Sequence, residues 1–244
     1  MKQTELAGIP VSITTKDELI SEIKLAILEH RKLSLVAINA RKVVRANEDQ
    51  SVKHLITSFD IFLPDGSSII QAIPEKVERI TGVDMMDEIL KHHEELNARI
   101  FLYGSSEEHN EKAKLAIIRR FQGINIVGSC DGYHDDMVLS QINHSNANIV
   151  FVAKGTPLQE EWIHAHKDQL HANIFLGVGG AFDVYSGSVK RAPNLVQKLG
   201  LEWLYRMLKE PKRFQQIPEL LRFRKLVKKE KRKTYEVRKE EKKW

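Results

Sequence analysis

The chain has 244 residues, 42% hydrophobic and 29% charged, with a formal net charge of +5. That composition supports one large domain with a core, alone or with an appendage, and argues against a disordered or fibrous class. The single cysteine, Cys130, excludes an internal disulfide framework and fits a reducing compartment.

In chain order, LAGIPVSI (6–13) reads as a strand and 16–30 as a helix. From residue 33 onward short β-branched runs alternate with helical patterns. LSLVAI (33–38), DIFL (60–63), RIFLYG (99–104), INIVGS (124–129), NIVFVAKG (148–155) and NIFLGVGG (173–180) are the strands. The helices fall at 40–58, 84–97, 107–121, 136–145 and 157–170. Several strands are apolar without alternation, as when both faces of a parallel sheet are covered. The spacing predicts an α/β fold, an open, mostly parallel sheet with helices on both faces and right-handed crossovers. Asn39 is placed to cap the helix that begins at Ala40, and Thr156 precedes a proline at a helix start.

After Arg191 the pattern changes. Residues 194–209 read as one helix ended by Pro211, and a second begins near Pro218. In it Ile217, Leu220, Leu221, Phe223, Leu226 and Val227 form an amphipathic stripe. The domain reading is therefore an α/β body over 1–195 and a basic amphipathic helical appendage over 196–244. Residues 206–244 hold 16 Lys/Arg against 6 Asp/Glu, whereas residues 1–205 hold 22 against 27. A mildly acidic body with a basic tail predicts a polyanionic partner for the tail alone. With no apolar run near ~18 residues and no signal-like h-region at the start, the expected location is cytoplasmic.

In open α/β sheets ligands bind outside the carboxyl ends of the strands, so the residues just after each strand carry the information. These are Asn39, Pro64 to Ser68, Gly104 to Ser106, Asp131-Gly132-Tyr133, Lys154 to Gln159 and the run from Gly177 to Asp183. Glycines there let backbone amides approach a phosphate, and helix N-termini add positive character. For any one glycine alone a tight turn is the commoner role. GVGG (177–180) is not the dinucleotide fingerprint, and no GxxxxGK[ST], DxD or GxSxG occurs. The His92-His93 and His164-His166 pairs have the wrong helical spacing for one metal and read as surface residues. Asp65 is the sharpest candidate. It follows an apolar strand and precedes a glycine, where a carboxylate serves either as a general base on a sugar hydroxyl or as an N-cap for 66–73.

The strings LVAINARK, FLPDGSS, RITGVD, VGSCDGY, VAKGTPLQEEW, GVGGAFDVYSGSVKRAP and LGLEWLYRMLKEP, taken together, resemble the WecG/TagA/CpsF family of bacterial glycosyltransferases, often called glycosyltransferase family 26. The likeness runs from about Leu6 to Arg213. It implies an inverting transfer that needs neither metal nor cofactor, from a UDP-sugar to an undecaprenyl-diphosphate-linked acceptor, in cell-surface polysaccharide synthesis. The sugar implied is N-acetylmannosamine or a relative such as its uronic acid. The resemblance also implies a peripheral attachment of the C-terminal appendage to the inner face of the membrane, with an anionic lipid surface as partner; a homo-oligomer stays open, and no nucleic-acid partner is implied.

By motif, Asp65 resembles the catalytic base, with Asn39, Arg79 and Gln159 as further active-site groups. Tyr133 and Asp183 resemble a uridine pocket, in which a carboxylate accepts the uracil N3–H. Gly104, Gly132, Gly155 and Gly180 are the glycines of the binding rim, and Lys190, Arg191, Arg206 and Arg213 are cations for the diphosphate or the lipid phosphates. Ala37 and Arg41 depart from the threonine and the acidic residue common in the family, which leaves the sugar open. Two rival classes, a nicotinamide- or SAM-dependent enzyme and a nucleic-acid-binding protein, would share the sheet or the basic tail. The first lacks a glycine-rich turn after the first strand, and the second leaves the rim residues unexplained.

Overall fold

In the computed structural model the described residues are 1–133, 137–190, 192, 193, 196, 205 and 217–241. The chain opens on an antiparallel hairpin, β1 (Lys2–Leu6) and β2 (Ile9–Ile13), rather than one strand over 6–13. Ala7 and Gly8 both take positive φ, 51° and 74°, the conformation of a two-residue turn whose twist matches that of the strands. Helix α1 (Lys16–Leu28) follows, with Thr15 and Glu18 forming a reciprocal capping box.

Six parallel strands make the main sheet. In chain order they are β3 (Leu33–Ile38), β4 (Ile61–Pro64), β5 (Arg99–Gly104), β6 (Asn125–Cys130), β7 (Ile149–Ala153) and β8 (Ile174–Gly177). Across the sheet their order is β4-β3-β8-β7-β5-β6. Register runs Ile38 beside Pro64, Leu35 beside Leu176, Phe151 beside Leu176 and Leu102 beside Phe151. All carboxyl ends therefore lie along one edge.

The segment expected as one helix over 40–58 is two, α2 (Ala40–Glu48) and α3 (Gln50–Thr57). Asp49 is extended between them, and its carboxylate accepts from Ser51 N at 2.8 Å, so it starts a new helix. The remaining helices are α4 (Ser67–Ala72), α5 (Gly82–Lys91), α6 (Glu107–Arg120), α7 (Val138–His144), α8 (Leu158–His166), α9 (Ala181–Tyr185) and α10 (Ile217–Glu241).

Each face of the sheet has its own core. On one, Val36, Ile38, Tyr103 and Val152 pack with Val43 of α2 and Ile163 of α8. On the other, Leu35, Leu102 and Phe151 pack with Ile23 of α1, Ile89 of α5 and Ile117 of α6. The fold is thus the expected α/β architecture with helices on both faces of a parallel sheet. Helix α8 after β7 and helix α6 after β5 lie on opposite faces, although β7 and β5 are neighbours. Ligands of open α/β sheets bind beyond such a reversal, which here falls at the ends of β5 and β7, at Gly104 and Ala153.

The amphipathic stripe of helix α10 finds its partner in the body. Phe223 is 2% exposed and belongs to the first core, with Leu220, Leu226 and Val227 packed against it. The stripe therefore faces the body, while Ile217 and Leu221 stay exposed. Glu219 meets Arg41 at 3.2 Å and Arg45 at 3.5 Å, Arg222 meets Glu48, and Glu230 accepts from Ala7 N. These contacts lay α10 along α2 from its first turn to the hairpin. The helix expected over 194–209 lies outside the described residues apart from Val196 and Tyr205.

Candidate active site

On the β3–β4 side, Asp65 N donates to Ile38 O at 2.9 Å, which sets Asp65 beside Asn39. Gly66, at φ 94°, takes the N-cap position of α4 without a side-chain hydrogen bond, so Asp65 is not at the cap. Ile80 N donates to Pro64 O at 3.0 Å and brings half-buried Arg79 to the same turn. Asn39 Oδ1 accepts from Lys42 N at 3.0 Å and caps α2 as expected. Arg41, next to Asn39 in sequence, is committed to Glu219 of α10.

Between the two sides runs a buried chain that sequence reasoning missed. Lys42 Nζ donates to Ala37 O at 2.8 Å and to Glu160 Oε1 at 2.7 Å, and both side chains are about 3% exposed. Gln159 Nε2 and Thr156 Oγ1 also donate to Glu160 Oε1, at 2.8 and 3.3 Å. Gln159 Oε1 in turn accepts from Gly179 N at 2.9 Å. The Gln159 amide is thus oriented at both ends, and α8 is tied to the loop after β8. Gly177 permits this: a Cβ there would lie 2.6 Å from Gln159 Nε2. The only sequence signal was that Lys42 and Glu160 fall inside the INARK and PLQEEW strings.

On the β5–β6 side, Gly104 adopts φ 115° and lies so close to β7 that a Cβ would meet Ala153 O at 2.5 Å. Ser105 then joins two groups. Its carbonyl accepts from Gly132 N at 2.9 Å, and its hydroxyl lies 3.4 Å from Asp183 Oδ1. Gly132 packs on Gly104, and Tyr133 beyond it is 79% exposed, a free ring face at the rim. Asp183 sits in the first turn of α9. Its Oδ1 also receives His109 Nδ1 at 2.8 Å, and a Cβ at Gly180 would lie 3.4 Å from its Oδ2. Gly155, at φ 71°, has open space around its Cα. Lys154 Nζ donates to Tyr103 OH at 2.8 Å.

The sequence-derived residues thus fall into two groups on one edge, Asp65–Asn39–Arg79 and Gly104–Gly132–Tyr133–Asp183, with Gln159, Gly155 and Gly180 between them. Strands pair at about 4.8 Å, so the β3 and β5 ends, three strand steps apart, stand roughly 14 Å from each other. Lys190 is exposed beyond α9, and Arg191, Arg206 and Arg213 lie outside the described residues. Of the histidine pairs, His93 is buried and His164 Nδ1 meets Ser58 Oγ at 2.8 Å. Among the described residues no group of three or more His, Cys, Asp or Glu is placed to hold a metal ion. No described helix is long and apolar enough to cross a membrane.

The profile of the Glycosyl transferase WecG/TagA/CpsF family matches residues 4–237, nearly the whole chain. With the parallel sheet and the polar rim on its carboxyl edge, that match makes this chain a member of the WecG/TagA/CpsF glycosyltransferases, a family that acts in cell-surface polysaccharide synthesis.

Proposed function

We propose that the chain is an inverting, metal-independent transferase that moves N-acetylmannosamine or a related hexosamine-type sugar from UDP to an undecaprenyl-diphosphate-linked acceptor. In this reading Asp65 takes the proton of the acceptor hydroxyl as that oxygen bonds to C1 of the donor sugar. The C1–O bond to the diphosphate breaks on the opposite side, and UDP leaves with the electron pair. Arg79, the backbone amides of the rim and Lys190 meet the leaving charge. Asp183 and Tyr133 hold the uracil, by an N3–H bond and by stacking.

The placement of Asp65 carries the reading: on the ligand edge, bonded through its backbone to Ile38 beside Asn39, and outside the cap of α4. Asp65→Asn tests it. Transfer to a synthetic lipid-diphosphate acceptor should fall by ~10²–10⁴-fold while UDP binding stays within a few-fold. Near-normal turnover would remove Asp65 from the chemistry.

We also infer that residues 196–244 form the membrane-facing part of a two-part protein. With its apolar stripe turned inward, α10 presents Arg224, Lys225, Lys228, Lys229 and Arg232 to solvent, so attachment is electrostatic rather than by insertion. Each such cation contributes about 1 kcal/mol at an anionic surface. Sedimentation with phosphatidylglycerol vesicles should show binding that is lost at high salt and when these five are changed to glutamine. Salt-resistant binding would mean that an apolar face inserts instead.

A further inference from the structure

We propose that His109 is a positioning residue for nucleotide recognition, holding Asp183 for the base and linking it to the 186–190 loop. The inference rests on the uridine-pocket reading of Asp183 and deepens it. His109 stands in the first turn of α6, where Ser106 Oγ accepts from its backbone N–H. That cap fixes the turn and aims the imidazole across to α9. Nδ1 meets Asp183 Oδ1 at 2.8 Å, and Nε2 meets Ser188 Oγ at 3.1 Å. Beside an ionised Asp183 the neutral ring carries its proton on Nδ1, so Nε2 accepts from the Ser188 hydroxyl.

Two consequences follow from this chain of contacts. With Oδ1 taken by His109 and Ser105, Oδ2 is the oxygen left for a ligand, and the absence of a Cβ at Gly180 leaves space next to it. A carboxylate held that way accepts from uracil N3–H and repels cytosine, whose N3 is itself an acceptor. The loop is also tied to the same residue: Ser188 reaches it through His109, while Ser186 Oγ and Val189 N donate to Asp183 O at 3.0 and 2.9 Å. Lys190 is the next residue. Base recognition and the placement of a diphosphate-facing cation are thereby coupled through one imidazole.

Isothermal titration of the full chain with UDP and with CDP tests this, using His109→Leu, His109→Asn and Asp183→Ala. An asparagine amide N–H replaces the Nδ1 donor, whereas leucine fills the space without one. His109→Leu should weaken UDP about tenfold and narrow the UDP-over-CDP preference, while His109→Asn should stay within about threefold of the parent on both counts. Thermal melts of all variants should agree closely, because the His109 side chain is about a third exposed and ends no core. Equal weakening by leucine and asparagine would overturn the proposal, since the ring would then only fill space. So would unchanged UDP binding by His109→Leu beside a loss in Asp183→Ala, which leaves the uridine pocket standing. Unchanged UDP binding by Asp183→Ala would remove the pocket itself, and the proposal with it.

Discussion

Replacing Lys42 by methionine keeps most of the side-chain volume and deletes the charge. In the folded protein Glu160 would then stay buried, with Gln159 and Thr156 still donating to Oε1 but no cation beside it. Its Oε2 already has no hydrogen-bond partner among the described residues. Breaking a buried ion pair from one side destabilises by about 3–5 kcal/mol, a large part of a typical total of roughly 5–15 kcal/mol. For a chain of this size that corresponds to a drop in Tm of about 6–20 °C. The double change Lys42→Met with Glu160→Gln removes the stranded charge and keeps an acceptor for Gln159, so most of the loss should return. Urea denaturation of the parent, both single variants and the double variant gives the coupling, provided the m-values agree. A single variant within about 1 kcal/mol of the parent, or a double variant no better than the single, would refute the reasoning.

Two further tests address the rim glycines and the acid side of the stability curve. Gly104→Ala should destabilise strongly, because the new Cβ meets the backbone of Ala153 at positive φ; Gly155→Ala, with open space at φ 71°, should cost only about 1 kcal/mol, and comparing their melting curves checks the difference. Burial raises the Asp87 carboxyl, but hydrogen bonds from Tyr185 and Lys91 and the charge of Arg120 outweigh it and hold it below its ordinary value. Its contribution is therefore complete above the unfolded value near 3.8 and is lost as pH falls through the lower folded one, so Asp87→Asn should flatten the stability loss below about pH 4, read as urea midpoints against pH.

Five strands of the sheet were legible because parallel strands covered on both faces are largely apolar, with no solvent-facing alternation to dilute the signal, whereas β6, half-buried at the sheet edge, was read from its Ile-Asn-Ile-Val run. Other features were hidden for physical reasons. The Ala7-Gly8 turn carries no Asn or Asp to mark it, so the hairpin reads as one strand. Asp49 interrupts a helical periodicity that continues on both sides, and only its φ and ψ reveal that it caps a second helix. The stripe of α10 was visible as a stripe. Amphipathicity states that a face must be covered without stating by what, and here α2 and its core cover Phe223 rather than lipid.

At the site, the legible residues were those whose backbone position alone makes them informative, the groups at the end of a parallel strand or within three residues of it. Asn39, Asp65, Gly104, Gly132, Gly155 and Gly180 all fall there, and the fold brings their turns to one edge. The supporting residues lie one turn into the following helices, where a charged side chain in isolation reads as solvent-facing. Lys42 is three positions past Asn39, and Glu160 and His109 sit in first helical turns among other charges. Each becomes meaningful only when its partner arrives from a helix far away in sequence: Glu160 of α8 for Lys42, Asp183 of α9 for His109. A first-turn residue after a parallel strand points across the ligand edge as readily as away from it. The charged residues that a composition-based reading assigns to solvent are, at that position, the ones that hold the rim in place.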